Sequence, residues 1–165
     1  MAEDLILSAR DLAIYTKLHA SAGDIGTARE CAGYIKKKGW HDYSFMRRGS
    51  VRLQQTAFYT TLIVAYARPF AIGRSGINFP RRLLQYGKAE AALHDALIEL
   101  RHKEYAHTDP SRSSVWPLKG IIKDIFSIRD VRFSVKQIDT FLRMTDGLQK
   151  RISQRIEEIR RAAER

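Results

Sequence analysis

A single cysteine, Cys31, is present in the 165 residues, which excludes an internal disulfide and a zinc site built on several thiolates. The sequence sets no histidine beside it, so its expected role is a buried structural thiol in a reducing setting. Long apolar runs are lacking too. The most apolar stretch, Thr60 to Ala67, lies between Arg52 and Arg68 and is too short for a membrane span of about 20 residues. Glu3 and Asp4 stand where a signal peptide would carry basic charge, so a soluble, cytoplasmic protein is expected. Glycine-rich phosphate loops of the GxGxxG or GxxxxGK[ST] type are missing, as are HExxH and paired Glu-x-x-His motifs. No cofactor or metal is therefore expected.

Acidic charge is in short supply: 29 Lys and Arg face 18 Asp and Glu, a net charge of +11. Such an excess attracts polyanions without specifying a fold. The basic residues gather at Lys36-Lys37-Lys38 with Arg47, Arg48 and Arg52, at Arg74, Arg81 and Arg82, and at Arg160-Arg161. They read either as a solvated surface or as a face for RNA or DNA, without the aromatic interleaving of a single-strand stacking platform.

Hydrophobic residues make up 44% of the chain, enough for the core of one domain over residues 1–165. Their spacing is helical throughout, with no alternating strand pattern. A first helix presents Leu5, Ala9, Leu12, Ala13 and Thr16 and is expected to stop in Ser21-Ala22-Gly23-Asp24. Thr27-Ala28-Arg29-Glu30 has the form of a capping box opening a second helix, which Gly39 would end. A third helix, apolar on two faces and so central, starts between Asp42 and Ser50 and ends near Arg68, before Pro69. A fourth is expected from about Pro80 to Tyr105, with Leu83, Tyr86, Leu93, Leu97 and Leu100 at core spacing. A shorter amphipathic helix with Leu118, Ile121, Ile122 and Ile125 follows. Ser134-Val135-Lys136-Gln137 then caps a last helix whose seam runs from Ile138 to Ile159, suited to the bundle interior or to another subunit. The fold class is all-α, a bundle of about four to six helices.

Chemistry points to the end of the fourth helix. Leu97, Arg101 and Tyr105 form one i, i+4 row, and His94 lies two turns before Arg101 on the same side. A guanidinium rising from a core-facing row calls for an anion, and phosphate fits its fork. His107 is about 120° around an ideal helix from Arg101. The two meet only if the helix unwinds before Thr108-Asp109-Pro110, or across a dimer interface. Alternatively, Arg101 pairs with Asp95, Glu99 or Glu104, and His107 caps the helix. Arg68 either caps its own helix or adds a phosphate contact.

Arg101-His102-Lys103-Glu104-Tyr105-Ala106-His107, preceded by Leu97-Ile98-Glu99-Leu100 and followed by Thr108-Asp109, resembles the signature of the HEPN superfamily in its abortive-infection-type form. There an arginine, usually followed by a polar residue, precedes a histidine by a turn or more. The tyrosines that follow the histidine in the nucleotidyltransferase-linked branch are missing. The resemblance implies a HEPN-like bundle and metal-independent RNA cleavage in a defence or toxin system. The ribose 2′-OH would attack the adjacent phosphate, leaving a cyclic phosphate and a free 5′-OH. His107 would be general acid or base and Arg101 would stabilise the phosphorane oxygens, with His102, Tyr105 and Arg68 contacting substrate. It further implies a homodimer with two motifs in one cleft, and an antitoxin or other defence-system partner. The alternative is a non-catalytic helical module for nucleic-acid binding or dimerisation.

Overall fold

The computed structural model describes residues 6–41, 49–71, 77–102, 113–116, 125–128 and 133–164. Among the described residues, four α-helices carry the architecture: α1 (Ala9–Lys37), α2 (Ser50–Ala67), α3 (Lys88–Leu100) and α4 (Val135–Ala163). α1 packs along both α2 and α4, and α3 closes against α2 and α4. Lys36 pairs with Asp139 and Arg29 with Asp146, so α1 and α4 run antiparallel. The chain is an all-α bundle with one small addition. A two-stranded antiparallel hairpin, β1 (Ser113–Trp116) and β2 (Ile125–Ile128), sits between α3 and α4 in sequence, with Ser113 opposite Ile128 and Trp116 opposite Ile125.

α1 is one continuous helix, not the two expected. Leu18, Ser21, Ile25, Ala28, Ala32 and Ile35 are all buried and recur at alternating three- and four-residue steps, the seam of a helix packed against helices on both sides. Ser21 and Thr27 do not cap. Their hydroxyls donate to the carbonyls of Lys17 and Gly23 one turn back, so the hydrogen bonds expected to break the helix stay within it. The face expected at its start is largely in solvent, with Ala9, Leu12 and Thr16 exposed. The helix does end at Gly39, where φ is +62°. The N–H of Gly39 reaches Lys36 O and that of Trp40 reaches Ile35 O, each at 3.0 Å, a Schellman closure. It turns Trp40 into the core beside Tyr34 and Phe58.

α2 packs along α1 and α3, so it forms one side of the bundle and not the expected centre, with Tyr59, Leu62, Ile63, Ala65, Tyr66 and Ala67 buried. Pro69 falls in the short 3₁₀ turn that follows, Arg68–Phe70. The fourth helix is shorter than expected. Pro80 precedes only a 3₁₀ turn, Arg81–Leu83, and α3 begins at Lys88. The Glu90 carboxylate accepts the Gly87 N–H at 3.1 Å, which fixes the later start. Arg151 on α4 donates from Nε to Leu83 O at 2.8 Å, holding the turn against the bundle. The expected amphipathic helix is replaced in part by β2, which contains Ile125. Backbone pairing there suits the β-branched Val115, Ile125 and Ile128. Leu118, Ile121 and Ile122 lie outside the described residues.

α4 opens as expected. Ser134 Oγ accepts the Gln137 N–H, and Gln137 Oε1 accepts the Ser134 N–H. Its seam of Ile138, Phe141, Thr145, Leu148, Ile152 and Ile159 is buried within the bundle. No helix among the described residues is long and apolar enough to cross a membrane.

Candidate functional site

Arg101 lies at the C-terminal end of α3. Its N–H still bonds to the Leu97 and Ile98 carbonyls, and the backbone at Arg101 and His102 passes into a wider, π-type turn. Such turns within helices are frequent at functional sites. Leu97, one turn earlier, is fully buried, so Arg101 does rise from a core-facing row. Its side chain is half-buried, and among the described residues no carboxylate forms an ion pair with it. His102 is exposed. Tyr105, His107 and Glu104 lie outside the described residues. Arg68, the last of the expected site residues, caps α2 and sets its guanidinium 3.4 Å from Asp24 on α1.

His94, Ile98 and Arg101 follow one another at i, i+4 and i+7, a single face of α3. His94 and Ile98 open onto a pocket of about 670 Å³. Phe70 and Phe79 wall it from the α2–α3 connection, with ring centroids 5.1 Å apart and edge to face. Phe70 also meets the His94 imidazole edge-on at 4.8 Å. Asn78, Arg81 and Asp95 supply the remaining polar groups. The sequence marks this pocket only weakly. Its one available signal was His94, a polar residue on an otherwise core-facing row.

Behind the pocket runs a part-buried hydrogen-bonded chain. Tyr86 OH lies 3.2 Å from Tyr66 OH, which lies 2.8 Å from His94 Nδ1. Tyr66 is fully buried, and burial, with Tyr86 beside it, pushes its hydroxyl far above the ordinary tyrosine range. Burial likewise raises Tyr86. All three groups are thus neutral, and two proton arrangements satisfy both bonds. In one, Tyr86 donates to Tyr66 and Tyr66 to Nδ1, leaving the proton on Nε2; in the other the direction reverses and Nε2 is an acceptor.

Burial lowers the His94 pKa below 6.5, opposed in part by Asp95. A histidine that resists protonation in the folded state lets the unfolded chain take up the proton first. Its contribution to stability is therefore complete above about pH 6.5 and falls as acid carries the solution down toward the lowered value. Between about pH 7.5 and pH 5.5, the melting temperature of the native protein should drop more than that of His94→Gln. Equal drops would place the acid sensitivity elsewhere.

A second pocket, of about 430 Å³, lies on the other side of the Arg81–Leu83 turn, where Arg10, Arg82 and Arg155 converge with Asp11. Arg155 there pairs with Glu158 at 2.8 Å, and basic residues elsewhere are likewise engaged with acids: Lys36 with Asp139, Arg29 with Asp146, and Arg160 and Arg161 with Glu157. Arg47, Arg48 and Arg74 lie outside the described residues. Cys31 is buried, and burial raises its thiol pKa, which makes it a poor nucleophile.

No protein-family model, curated protein or solved structure matches the chain.

Proposed function

We propose that the protein is a HEPN-like, metal-independent endoribonuclease of a cytoplasmic defence or toxin system. Arg101 carries the reading: a half-buried arginine, with no ion pair among the described residues, one turn after the buried Leu97 at the C-terminal end of α3. An arginine so placed is stabilised by an anion; Arg101 and His107 would approach where the helix unwinds before Thr108-Asp109-Pro110 or across a dimer interface. The excess of basic charge favours a polyanionic substrate. His107 then moves the proton as the 2′-OH attacks, and Arg101 stabilises charge on the phosphorane. His102 and Tyr105 contact the substrate, and Arg68 reaches it only if it leaves Asp24. A homodimer would bring two such motifs into one cleft, and an antitoxin or other defence-system protein would restrain it.

Purified protein should cut single-stranded RNA in excess EDTA, leaving 2′,3′-cyclic phosphate and 5′-OH ends. Cutting that depends on added divalent metal, or that leaves 3′-OH ends, contradicts this chemistry. Should RNA be bound but left intact, with affinity falling steeply as salt rises, the non-catalytic binding module is the correct reading.

A further inference from the structure

The pocket beside Arg101 combines groups that no simple ligand would use together. Phe70, Phe79 and Ile98 give it apolar walls, while Asn78, Arg81 and Asp95 bring an amide, a guanidinium and a carboxylate to the same space. A purely apolar ligand would leave the exposed Asn78, Arg81 and Asp95 unused. A bare phosphate would meet the Asp95 carboxylate and leave the aromatic walls unused. A nucleobase uses both, with an apolar, polarisable ring and an edge of donors and acceptors. The volume of about 670 Å³ accommodates one.

The hydrogen-bonded chain behind the pocket adds to the fit. Tyr66 and Tyr86 hold Nδ1 of His94, and the two directions of that chain leave Nε2 either a donor or an acceptor. An imidazole of this kind matches either type of group on a base edge. Position along α3 supplies the link to Arg101. From Ile98 to Arg101 is one turn of one helix face, a rise of about 4.5 Å. A base in the pocket and a phosphate on Arg101 therefore lie within the span of neighbouring nucleotides.

We propose that this pocket seats one nucleobase of the RNA, with Asn78 and Asp95 reading its edge and Arg81 and Arg101 holding the flanking phosphates. The assignment of the ligand to an RNA strand rests on the ribonuclease reading above; the pocket's fit to a nucleotide stands on its own residues.

The test titrates the full chain with each of the four nucleoside 5′-monophosphates and with ribose 5-phosphate, following the histidine ring and backbone signals by NMR. At least one nucleotide should shift the His94 ring signals saturably and bind at least about tenfold more tightly than ribose 5-phosphate. Arg81→Ala, at an exposed position, should weaken that nucleotide about fivefold or more, and Ile98→Trp, which fills the pocket, should remove the shift. Equal binding of ribose 5-phosphate would overturn the proposal, leaving a phosphate site only. So would nucleotide binding that leaves His94 unmoved or is indifferent to Ile98→Trp. RNA cleavage is read separately: nucleotide binding at His94 without cleavage keeps the pocket and removes the nuclease, and cleavage without that binding does the reverse.

Discussion

His107→Ala should reduce RNA cleavage by about 10²–10⁴-fold, the usual contribution of a positioned general acid or base. RNA affinity should change little, because a proton transfer contributes in the transition state and not to ground-state binding. Arg101→Ala should behave differently. Losing a donor to the phosphorane oxygens costs about 10²–10³-fold in turnover, and losing a cation at the phosphate weakens binding as well. The salt dependence of RNA affinity should then become shallower by about one counterion. Both variants should retain the helical circular dichroism of the native protein, since Arg101 is half-buried and pairs with no carboxylate among the described residues. Cleavage within tenfold of native in both variants would remove these residues from the chemistry.

Leu148→Lys should unfold the protein. Leu148 has no exposed surface and lies in the α4 seam between Thr145 and Ile152. Deleting a buried leucine side chain to alanine loses about 2–5 kcal/mol, which is the expected effect of Leu148→Ala on chemical denaturation. Lysine adds the penalty of placing an ammonium group among apolar side chains. The sum is comparable to the whole stability of a domain, about 5–15 kcal/mol. Had the seam faced another subunit, the same change would give a folded monomer on size exclusion. Burial of the seam within one chain predicts instead an expanded or aggregated species without cooperative melting.

Two of the four helices were legible because their signals were long and mutually consistent. α4 has a capping box in Ser134 and Gln137 and large aliphatic residues on one stripe, so local chemistry and packing agree. α2 was legible as a buried helix because apolar residues occupy more than one face, although two neighbours, α1 and α3, cover those faces and leave it at one side of the bundle. α1 was misread for a physical reason. Half of its buried seam is Ser21, Ala28 and Ala32, small residues that let helices approach while adding little to hydrophobic periodicity. Ser21-Ala22-Gly23-Asp24 and the capping-box pattern at Thr27 then mimicked a break that contacts with α2 and α4 override. In α3 the core residues were correctly identified, but Leu83 and Tyr86 reach the core from a 3₁₀ turn and the segment after it. Arg101 was legible as an arginine following a buried leucine. The pocket beside it was not, because Phe70, Phe79, Arg81 and His94 come together only through the path of the α2–α3 connection. No local spacing encodes that path.

The antiparallel match of α1 with α4 also sets an order of events during synthesis. Arg29 meets Asp146 and Gln149 across more than a hundred residues of intervening chain. Closing so large a loop is slow and must wait until both partners exist. On the ribosome, α1, α2 and α3 emerge with one wall of their core missing, and Ile25, Ala32 and Leu97 remain without the full cover that α4 helps to provide. The Arg101 segment is translated before that wall arrives. A nascent chain therefore presents the Arg101 segment on an unfinished scaffold until α4 has been synthesised and packed.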